Sequence, residues 1–311
     1  VIFAGDFADA PAIYPVTGWR VGFPPGIILE AVLNGLLTGA VYGLVALGLT
    51  LVYGVLHIIN FAHGALLTAA MYAAYVARVS LGVDPYVAAL PLTALFFALG
   101  YLVQRLVIGP ASQGRDENIL LVTLGLSIII ENLMLAVFRS DTRSVDVPYA
   151  MDVVEFGPAL LSYPRVVGFG ATILVGCALF VLMRFTATGK AIRAVAKERT
   201  GAALVGIDVA HIYAVTFGIG TACLAVSAAL LLPSFYVSPP VGNAFVLVAF
   251  TIVVLGGMGS GVGALIGGLF IGGVESLSGL YLGESLGQIG IFLIFILVLL
   301  VRPTGLFGAR A

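Results

Sequence analysis

Charge is scarce in this chain. Of 311 residues only 14 are lysine or arginine and 15 aspartate or glutamate, 9% in all, where soluble globular domains carry about 25%. So few charges cannot clothe a water-facing surface, which excludes an ordinary soluble domain, and no nucleic-acid partner is expected. Cysteine is scarcer still. Cys177 and Cys223 both fall inside apolar runs, which points to small packing residues rather than a disulfide or metal site. Signatures of chemistry are missing too. The pair Gly189-Lys190 lacks the upstream glycine and the following Ser or Thr of a phosphate loop, so ATP is not bound by that means. Nothing resembles HExxH, and no Ser/Lys or Asp/Asp pair has the helical register of an intramembrane enzyme. Membrane carboxylates are too few and too scattered for a proton relay. Neither catalysis nor a resident cofactor or metal is expected.

What the chain has is apolar length. Apolar residues make up 61% and the mean hydropathy is +1.16, and several runs exceed the roughly 20 residues that cross a bilayer as helix. The expected class is all-α, a polytopic membrane protein with eight or nine crossings, some of them broken. Residues 1–26 form a mildly polar lead-in that starts at Val1 with no signal-peptide pattern, 27–302 a single transmembrane domain, and 303–311 a tail placed in the cytoplasm by Arg302 and Arg310. The connection 109–117, with Arg115, is placed inside as well. The mixed-charge connection 139–165 is placed outside and is long enough for a small folded element.

The densest charge lies in 184–209, where Arg184, Lys190, Arg193, Lys197 and Arg199 stand between two membrane-length apolar runs. A basic connection of this kind belongs in the cytoplasm. Ala191, Ala194 and Val195 fall on one helical face and Lys190, Arg193 and Lys197 on another, which predicts a short surface helix able to dock. A plain topology signal would have the same composition.

Polar residues and glycines interrupt the apolar runs at defined places. In HIINFAHG, 57–64, two histidines and Asn60 break membrane-like sequence; His57 and His63, six apart, lie on different faces and lack a third ligand, so a helix break is expected rather than a zinc site. Asn34 lies within the first run, Glu131 two-thirds along the run 118–138, and Glu275 in a late apolar run. Such residues mark functional sites by default, though a hydrogen-bonded packing role is open for each. Gly35, Gly39 and Gly43 repeat at i+4, as do Gly263 and Gly267, continued by Gly268 and Gly272. These small-residue faces suit close helix contact. The run 245–255 is too short to span and ends in a glycine cluster with Gly256, Gly257, Gly259 and Ser260, a pattern that also exposes backbone to a pathway.

Five blocks carry a resemblance: NGLLTGAVYGLVALGLTLVYGVLHIINFAHG, TLGLSIIIENL, GKAIRAVAKERTGAALVGI, VLGGMGSGVGALIGGLFIGGVES and VLLVRPTGLFG. In this order, over about residues 28–308, they resemble the first of the two permease subunits of high-affinity branched-chain amino acid ABC transporters. The resemblance implies an importer in the bacterial inner membrane, with a second, related permease chain, two cytoplasmic ATPase subunits that bind the ATP, a periplasmic substrate-binding protein and surrounding lipid. It implies that 184–209 carries the coupling helix, with Lys190, Arg193, Lys197, Glu198, Ala202, Ala203 and Gly206 toward the ATPase. The Glu-Ala-Ala-plus-glycine pattern of ABC importers is degenerate here, Thr200, Gly201, Ala202 and Gly206 standing at its spacing. A substrate pathway is expected near Asn34, Asn60, His63, Glu131, Gly256, Gly257, Gly259 and Ser260. Related permeases also serve urea, short amides and aromatic acids, and a stand-alone channel or secondary carrier for a small neutral solute is the alternative class.

Overall fold

The protein is described here by a computed structural model, for residues 23–112, 116–157, 159–283, 286–302 and 305. Most of the lead-in, Arg115 and most of the tail, with Arg310, lie outside the described residues. Helix α1 (Pro25–Leu56) starts with proline at its first position and runs 32 residues, about 48 Å at 1.5 Å per residue. It stops where His57 takes a left-handed φ of 57° and its N–H closes on the Tyr53 carbonyl at 2.7 Å. Residues 57–62 are non-helical and α2 (His63–Leu81) follows, so the expected break is present. The His63 ring lies on the Val45 carbonyl, about 16 Å back along α1 from its end. Helix α2 therefore begins inside the bundle.

Asp84 caps α3 (Pro85–Val103) by accepting the Tyr86 N–H at 2.9 Å. That helix continues through a π-helical turn at Gln104–Ile108 into the short α4 (Gly109–Ser112). After α5 (Asp116–Phe138), the long connection folds as an antiparallel hairpin of β1 (Val153–Phe156) and β2 (Ala159–Ser162), with Val153 opposite Ser162. Then come α6 (Tyr163–Phe185), α7 (Ala187–Lys197), α8 (Arg199–Leu204), α9 (Val209–Leu231), α10 (Val241–Gly256), α11 (Gly261–Leu282) and α12 (Gly287–Val301).

Seven helical segments of the described residues are long and apolar enough to cross a membrane. The 16-residue α10 and 15-residue α12 are shorter, about 24 and 23 Å, against a hydrocarbon core of about 30 Å. The expectation of eight or nine crossings thus resolves into seven long helices and two partial ones. Helix α10 is short because it starts low. Its Gly242 meets Gly64, at the buried start of α2, and the Gly242 N–H donates to the Thr68 hydroxyl at 3.0 Å.

The core is built on α1 and α9, each 83% buried over its most apolar window, while α5 and α6 are only 6% and 11% buried there and turn their leucines and isoleucines outward. Exposed apolar faces of that length fit lipid. One end of the bundle, the hairpin end, gathers the β-hairpin, the bridge between Arg143 and Val237, and the 2.7 Å bond from the Tyr149 hydroxyl to Asp84. At the other, the basic end, stand α7, α8, the Arg105–Asp208 pair at 3.7 Å, and Gly54 beside Gly259. The chain is an all-α polytopic membrane protein.

Candidate functional site

At the break between α1 and α2 the polar residues serve the backbone. Asn60 is buried and its Oδ1 accepts the Ala62 N–H at 3.0 Å, a local turn that supports the start of α2. His63 is buried too, with Nε2 at 2.9 Å from the Val45 carbonyl, the geometry of an N–H donor. Asn34 works at the hairpin end: its amide donates to the Leu160 carbonyl at 2.9 Å and its Oδ1 accepts the Ser162 N–H at 3.1 Å, fastening β2 to α1. The Glu131 carboxylate accepts a long 3.4 Å bond from the Asn243 amide and so joins α5 to the start of α10. Gly256 to Ser260 form the tight turn between α10 and α11. Gly257 and Gly259 take φ of 91° and 86°, which only glycine adopts freely. Ser260 caps α11 by accepting the Gly263 N–H at 3.1 Å. The structure does not bring these residues into one cavity; they are spread from the hairpin end to the basic end.

The glycine faces meet one another. A Cβ on Gly35, Gly39 or Gly43 would run into α11 at Gly268, Gly272 or their neighbours, so α1 and α11 touch backbone to backbone along several turns. Gly263 and Gly267 face α10 instead, against Gly256 and Ile252. The two i+4 ladders of the α11 segment thus face different helices.

The basic connection is two helices, where the sequence pattern predicts one. Thr186 caps α7 by accepting the Gly189 N–H at 3.0 Å. Glu198 then turns extended, at φ −160°, and its carboxylate accepts the N–H groups of Thr200 (2.9 Å) and Gly201, capping α8. Those two N–H donors hold the Glu198 carboxyl below its usual range, Gly201 first. Gly206 closes α8 at φ 88°. Asp208 caps α9 by accepting the His211 N–H at 3.0 Å, which with Arg105 nearby depresses its carboxyl as well. Gly189, Ile192 and Val195 form the buried stripe of α7, with Ala191 and Ala194 half-buried beside it. Lys190, Arg193 and Lys197 face out. Ala202 is buried, whereas Ala203 and Gly206 are exposed, and so are Leu204 and Val205, at 84% and 77%. Those last two were missed in the sequence because a two-residue apolar pair gives no periodic signal.

Two cavities flank this framework. The one at the basic end, of about 430 Å³, lies between Leu56, Gln104, Arg105, Arg199 and Tyr213; the Gln104 Oε1 is buried there without a protein partner. The one toward the hairpin end, of about 240 Å³, is lined by Tyr42, Arg165, Phe235, Glu275 and Ser276 among others. Of these, sequence reasoning singled out only Glu275. No group of three or more His, Cys, Asp or Glu that could hold a metal occurs among the described residues.

Residues 31–301 match the family model described as the branched-chain amino acid transport system permease component. The high-affinity branched-chain amino acid transport system permease protein LivH of Salmonella typhimurium is 34% identical over 296 residues, 90% of this chain and 95% of that protein. LivH of Escherichia coli and the corresponding permease protein BraD of Pseudomonas aeruginosa are each 33% identical, again over 90% of this chain and 95% of theirs. A more distant relative, the probable branched-chain amino acid transport permease protein of Methanocaldococcus jannaschii, is 28% identical over 85% of this chain and 88% of its own. The relatives are transport permeases, and the apolar helices make this chain a multi-pass protein of the bacterial inner membrane. The match spans the whole bundle from α1 to the end of α12, and the chain therefore belongs to the branched-chain amino acid transport permease family.

Proposed function

We propose that the chain is a permease subunit of an ABC importer for branched-chain or other hydrophobic amino acids, driven by ATP hydrolysis on partner subunits. The partners of this reading are a second, related permease, two cytoplasmic ATPases and a periplasmic binding protein. The names of the relatives support the substrate class. The basic end supports the orientation, since Arg105, Arg184, Lys190, Arg193, Lys197 and Arg199 gather there and basic segments stay in the cytoplasm.

The observation that carries the reading is the corner formed by α8. Leu204 and Val205 stand out from the bundle next to a basic face, on helices fixed by Thr186, Glu198 and Asp208. Two bare aliphatic side chains in water, rigidly held, suit a socket on a partner better than a free loop. In this reading Lys190, Arg193, Lys197, Ala203 and Gly206 surround the contact. ATP-driven closure of the ATPases moves the permease only if the closed pair binds one permease conformation more tightly than the other. The test is purification of the complex from native membranes in mild detergent. The double variant Leu204→Asp/Val205→Asp should still recover the second permease but lose the ATPases. Retention of the ATPases would overturn the docking site, and a chain that purifies alone and carries solute without ATP would overturn the importer.

A further inference from the structure

The cavity of about 240 Å³ toward the hairpin end has an unusual wall for a membrane bundle. It holds one carboxylate, Glu275 of α11, and one guanidinium, Arg165 of the first turn of α6, both half-buried. No ion pair within 4.0 Å joins them. Tyr42 of α1 lines the same cavity as Glu275. Ser276 and Thr38, also in the wall, donate their hydroxyl protons to the Ala31 and Asn34 carbonyls at 2.7 and 3.1 Å, which leaves their oxygens as acceptors. The rest of the wall is Phe235 and the glycines Gly35, Gly272, Gly279 and Gly287.

A carboxylate held within an apolar helix is costly unless something pairs with it. A direct Glu–Arg pair would meet that cost and close the site. Here the two charges face the same space from different helices, apart from one another, and the space between is what a molecule carrying both charges could fill. We propose that this cavity is a binding subsite for a zwitterionic α-amino acid, its ammonium donating to Glu275 and Tyr42 and its carboxylate accepting from Arg165. The aliphatic side chain would lie along Phe235. The volume is below the roughly 300–1,000 Å³ of drug-sized sites, which suits one small solute. The subsite rests on the importer reading above and adds the residues that would recognise the substrate inside the permease itself, apart from any binding protein.

The probes are leucine, leucinamide, which lacks the carboxylate, and 4-methylpentanoate, which lacks the ammonium. Binding of each is measured by saturation-transfer NMR on the assembled complex in nanodiscs, without nucleotide or binding protein, with ATP-dependent leucine uptake by the complete system as a parallel measurement. The wild type should bind leucine at least tenfold more tightly than either analogue. Arg165→Gln, at the bundle end and least able to disturb folding, should bring leucine down to the level of leucinamide while 4-methylpentanoate stays weakest. Glu275→Gln should do the reverse and bring leucine down to the level of 4-methylpentanoate. A selective change of preference is something a purely structural role would not produce. Unchanged preferences in Arg165→Gln, or no leucine binding by a complex that imports leucine, would overturn the subsite and leave the importer reading standing. A complete system that imports no amino acid would overturn the importer reading and the subsite with it.

Discussion

The backbone contact between α1 and α11 makes a sharp prediction at Gly272. A Cβ built there would lie within 3.0 Å of the Gly35 carbonyl oxygen and of the Gly39 N and Cα. All three are backbone atoms of another helix, so no rotamer can relieve the clash. The helices must part, and every neighbouring glycine contact along the seam loosens with them. Overpacking of this kind costs about 1–3 kcal/mol, and a seam of several turns puts Gly272→Ala toward the upper half of that range. With 1 kcal/mol worth roughly 2–4 °C in a chain of 150–250 residues, a loss of about 2–3 kcal/mol should lower the midpoint by about 4–12 °C. The control is Gly170→Ala in α6, where a Cβ meets nothing within 4 Å. There alanine removes only the glycine penalty in a helix and should leave stability unchanged or raise it by up to about 1 kcal/mol. Thermal unfolding of both variants in one detergent, followed by intrinsic fluorescence or a thiol-reactive dye, decides the matter. Equal midpoints for the two variants, or a Gly272→Ala midpoint within 1 °C or so of wild type, would refute the close-contact argument.

Other parts of the frame are testable in the same way. Asn34→Ala leaves the Leu160 carbonyl and the Ser162 N–H without their side-chain partner, and β2 amides should exchange faster by an amount equivalent to about 1–3 kcal/mol, read by hydrogen exchange. His63→Leu keeps the side-chain volume but loses the bond to Val45, so the thermal midpoint should drop by the equivalent of about 0.5–1.5 kcal/mol. Because the Glu198 carboxyl is depressed by the N–H groups it caps, its contribution is fully present above the ordinary glutamate range near pH 4.3 and is lost as pH falls through the lower folded value. Protection of the Thr200 and Gly201 amides should hold through neutral pH and fade only below that range, whereas in Glu198→Ala it should be weak at every pH.

Much of the fold was legible because membrane segments announce themselves by length. The break after α1 could be read from HIINFAHG, since polar residues in such a run are tolerated where backbone groups need partners. Helix α10 could be read as short, though it begins at Val241 rather than at 245, because Val241 and Gly242 look like turn residues until the contact with Gly64 is known. The division of 184–209 into α7 and α8 was hidden in Glu198. In a basic stretch it reads as one more surface charge, and only its extended backbone shows it to be a cap. The small-residue ladders were visible, but their partners were not: i+4 spacing says that a face is bare and does not say which helix lies on it.

The membrane polar residues show why the expected pathway scattered. A polar side chain in an apolar run has three possible employers: a nearby break in the backbone, another element, or a ligand. Asn60 and His63 stand beside a break and are taken up by it. Asn34 has no break near it, yet its partners in β2 lie 126 and 128 residues on, out of reach of any local reading. Glu131 is joined to Asn243 across 112 residues, although at 3.4 Å the bond is slack. Glu275 differs from all of these. It sits well inside α11, more than a turn from either helix end, and it faces a cavity with a tyrosine and an arginine that makes no ion pair among the described residues. Among the carboxylates and amides flagged in the sequence, Glu275, which lines a cavity of about 240 Å³, is the one to weigh as a binding group. In an apolar bundle that property separates a functional polar residue from a structural one better than depth in the membrane does, because depth alone makes every such residue equally costly.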